Sequence, residues 1–207
     1  MRPEDVTGRF SQRPQQAIPR GTRLLMRIIA VGAWTLLSVA SLVAQQAGHS
    51  EFQIKAAYLY NFGKFVKWPP DTPANQNGSF IICVLDQDPF GVTLQSALAG
   101  ESVGGKPVAI KRLSRAQDAA TCHILFINSA QSKDLAGILA AVDDSSVLTV
   151  SDIRDFSKRG GMIQFVLDGN RIRFEINLES AQKSRLVLAS ELLKVAVAVK
   201  KPERSGD

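Results

Sequence analysis

The sequence predicts an α/β domain: a mainly parallel sheet flanked by helices, then a C-terminal antiparallel hairpin and a long final helix. Three observations lead there. Short continuous apolar runs, such as residues 79–85 (SFIICVL) and 122–127 (CHILFI), alternate with helical patterns. Strands without polar alternation suit a parallel sheet covered on both faces. Asp168-Gly169-Asn170 separates two further apolar runs, which is a hairpin signal. Beyond Asn177, Ala181, Leu188, Leu192, Val195 and Val199 extend a helical reading over 178–199.

The elements follow in order. Residues 51–67 (EFQIKAAYLYNFGKFVK) place Phe52, Ile54, Tyr58, Leu59, Phe62, Phe65 and Val66 on one broad helical face. Gln53, Lys64 and Lys67 lie opposite. Trp68-Pro69-Pro70 stops that helix, because proline disfavours helical geometry in the residue before it. Residues 71–78 (DTPANQNG) form a turn-rich loop. After the strand at 79–85, Pro89 starts a short helix over 90–99. Strands are expected at 106–113, 122–127 and 145–150, with a helix at 132–142 before the last of them. The hairpin pairs 162–167 with 171–176 and closes the sheet. Asn177 suits the N-cap of the final helix, with Glu179 in its first turn.

The amino-terminal part has a different character. Arg20, Arg23 and Arg27 lead into an apolar stretch at 26–44, and no charge occurs between Ile28 and Ala44. That length is short for a membrane span of roughly 20 residues and suits a secretory signal. No Arg-Arg pair occurs, which favours the general secretory route over the twin-arginine one. The expectation is an export signal with an amino-terminal extension over 1–44, one domain over 45–200 and a disordered tail over 201–207. An uncleaved membrane anchor is the alternative for the first segment, and Met26 is an alternative start.

Export changes the charge argument. The chain is +6, but residues 1–44 hold six Arg against Glu4 and Asp5, which leaves +2 for the rest. A nucleic-acid footprint has little support in so small a surplus. Cys83 and Cys122 are the two cysteines. In an oxidising compartment an even pair suggests one disulfide, and two buried free thiols are the alternative.

Catalytic chemistry is poorly represented. Residues 100–107 (GESVGGKP) fall short of a phosphate-binding loop, since Pro107 supplies no hydroxyl and a strand follows; they read as a glycine turn. His123, beside Cys122, reads as structural, because neighbours along a strand point to opposite faces. No nucleophile–base set, metal-ligand spacing or cofactor motif is present. Asp86 and Asp88 follow a strand's C-terminal end, where α/β sheets bind ligands, although turn and cap roles suit them better. Four residues stand out as candidates for binding a partner or ligand. Lys55 falls within the apolar face of the first helix, one turn after Glu51, and either snorkels or serves binding. Arg171 and Arg173 share a strand face that is either solvated or able to grip a carboxylate. Trp68 is either a core plug or a binding anchor.

Taken as a series, the chain resembles the YfiR family, also known as a domain of unknown function. The matching stretches are Lys55-Ala56-Ala57-Tyr58-Leu59-Tyr60-Asn61-Phe62 with Trp68-Pro69, Ile82-Cys83-Val84-Leu85, Asp88-Pro89-Phe90-Gly91 and Cys122-His123-Ile124-Leu125-Phe126-Ile127. Val147-Leu148-Thr149-Val150, Phe156, Gly160-Gly161-Met162-Ile163 and Arg173-Phe174-Glu175-Ile176-Asn177 complete it. The resemblance covers residues 51–199. It implies a periplasmic, non-enzymatic α/β protein, commonly a homodimer. Such a protein represses an inner-membrane diguanylate cyclase through that enzyme's periplasmic domain, which lowers cyclic-di-GMP and restrains biofilm. It also implies a Cys83–Cys122 disulfide. Some members carry a second cysteine pair near the Gly-Gly strand, a stretch in which this chain has Ser157 and Gln164 and no further Cys. The function read from the sequence is therefore a regulator of a membrane cyclase or sensor kinase. The alternative is a periplasmic small-molecule binding protein with a pocket near Asp86 and the Ser151-Asp152 turn.

Overall fold

The computed structural model describes residues 51–143 and 145–202, all within one compact unit spanning 47–207. The expected export signal lies outside the described residues, as does the tail apart from Lys201 and Pro202. Among the described residues no helix is long and apolar enough to cross a membrane.

Helix α1 occupies residues 51–65 and runs into β1 (Val66–Lys67). Then come β2 (Phe80–Leu85), α2 (Val92–Ala97), β3 (Ser102–Val103), β4 (Lys106–Leu113) and β5 (Ile124–Ile127). Next are α3 (Leu135–Val142), β6 (Leu148–Ser151), β7 (Ile163–Asp168) and β8 (Arg171–Asn177). The chain finishes with α4 (Leu178–Lys183), β9 (Val187–Leu188), α5 (Ser190–Val195) and β10 (Ala198–Lys200). Short 3-10 helices at Pro73–Gln76, Ala116–Thr121 and Ser129–Lys133 fill the connections.

Eight strands form one sheet in the order β10-β8-β7-β6-β5-β2-β4-β3, and β1 pairs with β9 separately. The run from β4 through β2, β5, β6 and β7 is parallel throughout. β7 and β8 pair antiparallel across Gly169-Asn170, where Gly169 takes a φ of 60°. Gly104 and Gly105 (φ 58° and 80°) form the two-residue loop between β3 and β4. Two successive left-handed residues are what a type I′ hairpin turn needs.

Helices cover both faces. On one, α1, α2, α4 and α5 enclose Leu59, Phe62, Phe80, Ile82, Phe126, Phe165 and Phe174. On the other, α3 and the 3-10 helix at Ala116–Thr121 enclose Ile81, Cys83, Leu125, Ile127, Leu135, Ile138 and Phe156. The full burial of β2, β5 and β6 explains why their sequences lack polar alternation.

Two expectations need correction. The long final helix over 178–199 does not form. Asn177 does cap a helix, accepting from the Ser180 N–H at 3.2 Å. That helix ends after six residues because Arg185 turns left-handed (φ 59°). The Leu186 N–H then donates to the Ala181 carbonyl and the Arg185 N–H to Gln182, which is a Schellman stop. Leu188 goes into β9, Leu192 into α5 and Val199 into β10. Second, the hairpin does not close the sheet, since β10 pairs in parallel beyond β8, Ala198 opposite Glu175.

Candidate functional site

The face of α1 read as uniformly apolar is divided in the structure. Ala56, Leu59, Phe62 and Val66 are buried, whereas Ile54 and Phe65 stay exposed. At 100° per residue, Ile54, Tyr58 and Phe65 fall on one stripe beside the buried one. That stripe forms one wall of an open groove of about 630 Å³, lined by Ile54, Tyr58, Ile172, Phe174, Val195 and the Asn170–Arg173 edge of β8. A smaller hollow of about 270 Å³ adjoins it, sharing Tyr58, Phe174 and Val195 and adding Phe65 and Leu192. The walls are firm, because Tyr58, Phe62, Phe165 and Phe174 pack with ring centroids 5.1 to 5.9 Å apart.

Arg171 and Arg173 stand on the rim of this groove. Arg173 Nη2 donates to the Val195 carbonyl at 3.3 Å. Among the described residues neither arginine pairs with a carboxylate. Glu175, on the same strand face, instead accepts from Ser157 Oγ at 3.0 Å. The Tyr58 hydroxyl donates to the Ile172 carbonyl at 3.2 Å and covers the β8 edge beyond the reach of β10.

Lys55 does not snorkel. Its side chain is 4% exposed, and Nζ lies 2.6 Å from Glu51 Oε1 and 2.8 Å from Asp152 Oδ2. It also sits over the rings of Phe52 and Phe165, at 5.2 and 5.9 Å from their centroids. Asp152 follows the C-terminal end of β6, which brings the loop beyond a parallel strand against the first turn of α1. A cavity of about 290 Å³ opens beside this triad, lined by Glu51, Lys55, Ser129, Asp152, Phe165, Leu167 and Ile172. It shares Ile172 with the groove, which places buried Lys55 close to the strand that carries Arg171 and Arg173.

Trp68 lies elsewhere. Its indole N–H donates to the His123 carbonyl at 3.1 Å, and its ring meets Phe80 and His123 edge-on. His123 stacks on Phe80 at 4.3 Å and accepts the Ile81 N–H on Nδ1 at 3.0 Å. The ring proton is therefore on Nε2, 3.4 Å from Asn75 Oδ1. Burial, and to a lesser degree the Lys106 ammonium, lower its pKa to about 4. Such a histidine is neutral and structural at ordinary pH.

The crevice beyond β2 and β5, where strand order reverses, is spanned by the protein's own side chains. Gln131 donates to Asp86 Oδ2 at 2.6 Å, and Asn128 Nδ2 donates to the Gln87 carbonyl at 2.9 Å. Asp88 accepts the Phe90 N–H at 2.8 Å and pairs with Arg112 at 2.7 Å, which makes it a turn residue. Of the pocket expected near Asp86 and the Ser151-Asp152 turn, Asp152 lines the cavity beside Lys55, whereas Asp86 is held by Gln131. Cys83 and Cys122 are joined by a disulfide in the buried core under α3, with Cα atoms 6.0 Å apart. Where a second cysteine pair occurs in some YfiR-like chains, the Ser157 N–H donates to Gln164 Oε1 at 3.1 Å. From the sequence, Asp152 was named only with the alternative pocket near Asp86, Tyr58 only on the apolar face of the first helix and Val195 only in the final helical pattern; no signal placed Tyr58 and Val195 in one groove.

These features define a class: a disulfide-closed α/β domain on a mainly parallel sheet, presenting a rigid apolar groove between its first helix and a sheet edge. The sequence model described as YfiR/HmsC-like matches residues 52–197, and the chain belongs to that family. No curated protein matches the sequence. Among solved structures, a conserved domain protein from Vibrio cholerae O1 biovar El Tor is similar at 12% identity and a TM-score of 0.45, over 58% of this chain. This chain covers about half, 54%, of that structure's length.

Proposed function

We propose that this protein is a periplasmic regulator without catalytic activity of its own. It binds the exported sensing domain of an inner-membrane diguanylate cyclase, or of a sensor kinase, and holds it inactive, which lowers cyclic-di-GMP. Membership of the YfiR/HmsC-like family supports the regulatory class. The observation that carries the reading is the groove between Ile54, Tyr58 and Val195 with Arg171 and Arg173 on its rim. Exposed apolar side chains on a rigid floor favour protein contact. Unpaired arginines favour an acidic partner and speed its capture. Repression then follows if the groove fits the inactive state of the partner better than the active one, since only differential affinity shifts an equilibrium. Homodimer formation belongs to the same proposal.

A clean deletion is expected to raise cyclic-di-GMP and biofilm, with recovery on complementation. Photo-crosslinkers at Ile54 or Val195 are expected to capture a membrane cyclase or kinase in intact cells. Unchanged cyclic-di-GMP in the deletion strain rules out the cyclase version.

A further inference from the structure

We infer that the groove between α1 and β8 receives an amphipathic α-helix of the partner, with an apolar stripe and two carboxylates one helical turn apart. This rests on the regulatory reading and names what that partner presents. Shape comes first. Ile54, Phe65 and Val195 are 41%, 39% and 55% exposed, and the groove and its adjoining hollow share Tyr58, Phe174 and Val195. Ile54 and Phe65 stand at the two ends of this trough, about 16 Å apart along the axis of α1. A helix of three turns has that length, and its apolar residues at spacings of three and four suit such a trough.

The edge of β8 argues against an added strand. The Ile172 carbonyl accepts the Tyr58 hydroxyl at 3.2 Å, and the Phe174 carbonyl accepts the Val197 N–H at 3.0 Å. A strand laid along residues 171–174 would find both acceptors taken. A helix satisfies its own backbone and needs only side-chain contact. Charge then fixes which face of the helix turns inward. Arg171 and Arg173 alternate along β8 and so stand about 6.6–6.8 Å apart on one face. Residues four apart on a helix are separated by about 6 Å along its axis, so two carboxylates at that spacing meet both guanidinium groups. Arg173 is already held in place by the Val195 carbonyl at 3.3 Å.

This chain does not carry such a helix itself. Among the described residues, α1 has only Glu51, α4 only Glu179 and α5 only Glu191, while α2 and α3 have no carboxylate, so a second copy offers no matching pair. Residues 6–50 contain no Asp or Glu, and residues 201–207 (KPERSGD) contain no large apolar side chain. The complement therefore belongs to a different protein.

The test uses the full chain in intact cells, with a photo-crosslinking residue in place of Ile54 or Val195 and sequencing of the captured segment. Both positions are expected to capture one segment with two acidic residues four apart beside an apolar stripe. A synthetic peptide of that segment should show helical NMR shifts when bound to the purified protein. Arg171→Glu with Arg173→Glu should cut capture by about tenfold or more, and exchanging the partner's two acidic residues for Lys should restore it. That restoration is a readout that a misfolded variant cannot give. A captured segment that binds in an extended form, one that lacks the acidic pair, or a charge exchange without recovery would each overturn this inference and leave the regulatory reading standing. Capture of no membrane signalling protein from either position would overturn both.

Discussion

Alternate residues of β2 go to opposite sides of the sheet. Phe80, Ile82 and Val84 face the α1 side, while Ile81, Cys83 and Leu85 face the α3 side. β5 divides the same way, with Ile124 and Phe126 against Leu125 and Ile127. The α3 side is mainly aliphatic and is closed covalently by Cys83–Cys122. The α1 side is rich in aromatic rings, holds buried Lys55 between two partly exposed carboxylates, and leaves Ile54, Phe65 and Val195 open to solvent. The difference teaches where each task is placed. Exposed apolar side chains gather on one side of the sheet, and the covalent cross-link lies on the other.

The largest test of that division is the disulfide. Replacing both Cys83 and Cys122 with Ala should lower stability by about 3–4 kcal/mol in a denaturant titration, from the loss of a closed loop of about 40 residues. Partner capture should persist in the fraction that stays folded. If the variant keeps its stability but loses partner capture, the assignment of tasks to the two faces is reversed.

Acid provides the next test, at the seam where Trp68, Phe80 and His123 meet. The folded-state pKa of His123 is lowered to about 4, so the unfolded chain binds its proton first. Stability is then fully present above about pH 6.5 and falls as pH drops towards 4, by about 3 kcal/mol in total for this group. His123→Gln should flatten that part of the pH–stability curve, measured by urea melts at several pH values. A curve that keeps its slope in the variant assigns the loss to other groups.

The smallest effect on stability is expected at the groove. Arg171→Glu with Arg173→Glu should change stability by no more than about 0.5 kcal/mol, since both side chains sit at the rim. The same pair should lose capture of the membrane partner and raise cyclic-di-GMP. A melting curve shifted as far as that of the disulfide variant would instead make these arginines part of the scaffold.

Much of the sheet was legible because β2, β5 and β6 are continuous apolar runs bounded by turn residues. β1, β9 and β10 are two or three residues long, too short for any periodicity to register. The final helix was misread because its stop is an arginine in a left-handed conformation, with no glycine to announce it. The candidate site was legible in part. Lys55 and its Glu51 partner are one turn apart, which a helical wheel reveals. Asp152 is 97 positions away from Lys55, and only the folded chain brings it near. Ile54 and Phe65 were placed on one apolar face with the buried residues, because a wheel shows which residues share a face but not how far the cover extends. Arg171 and Arg173 were visible as a charged strand face; that Arg173 reaches Val195 depends on the turn after α5.

The sheet's two margins bear on self-association. One margin is β3, two residues long, beside a β4 that carries Pro107, Lys111 and Arg112. The other is the three-residue β10 with Lys200, and past its end the Tyr58 hydroxyl occupies the Ile172 carbonyl. β3 covers β4 only at Lys106 and Pro107, so Lys111 and Arg112 guard the rest of that edge against a stray strand. Like charges repelled at an edge disfavour the in-register stacking from which fibrils grow.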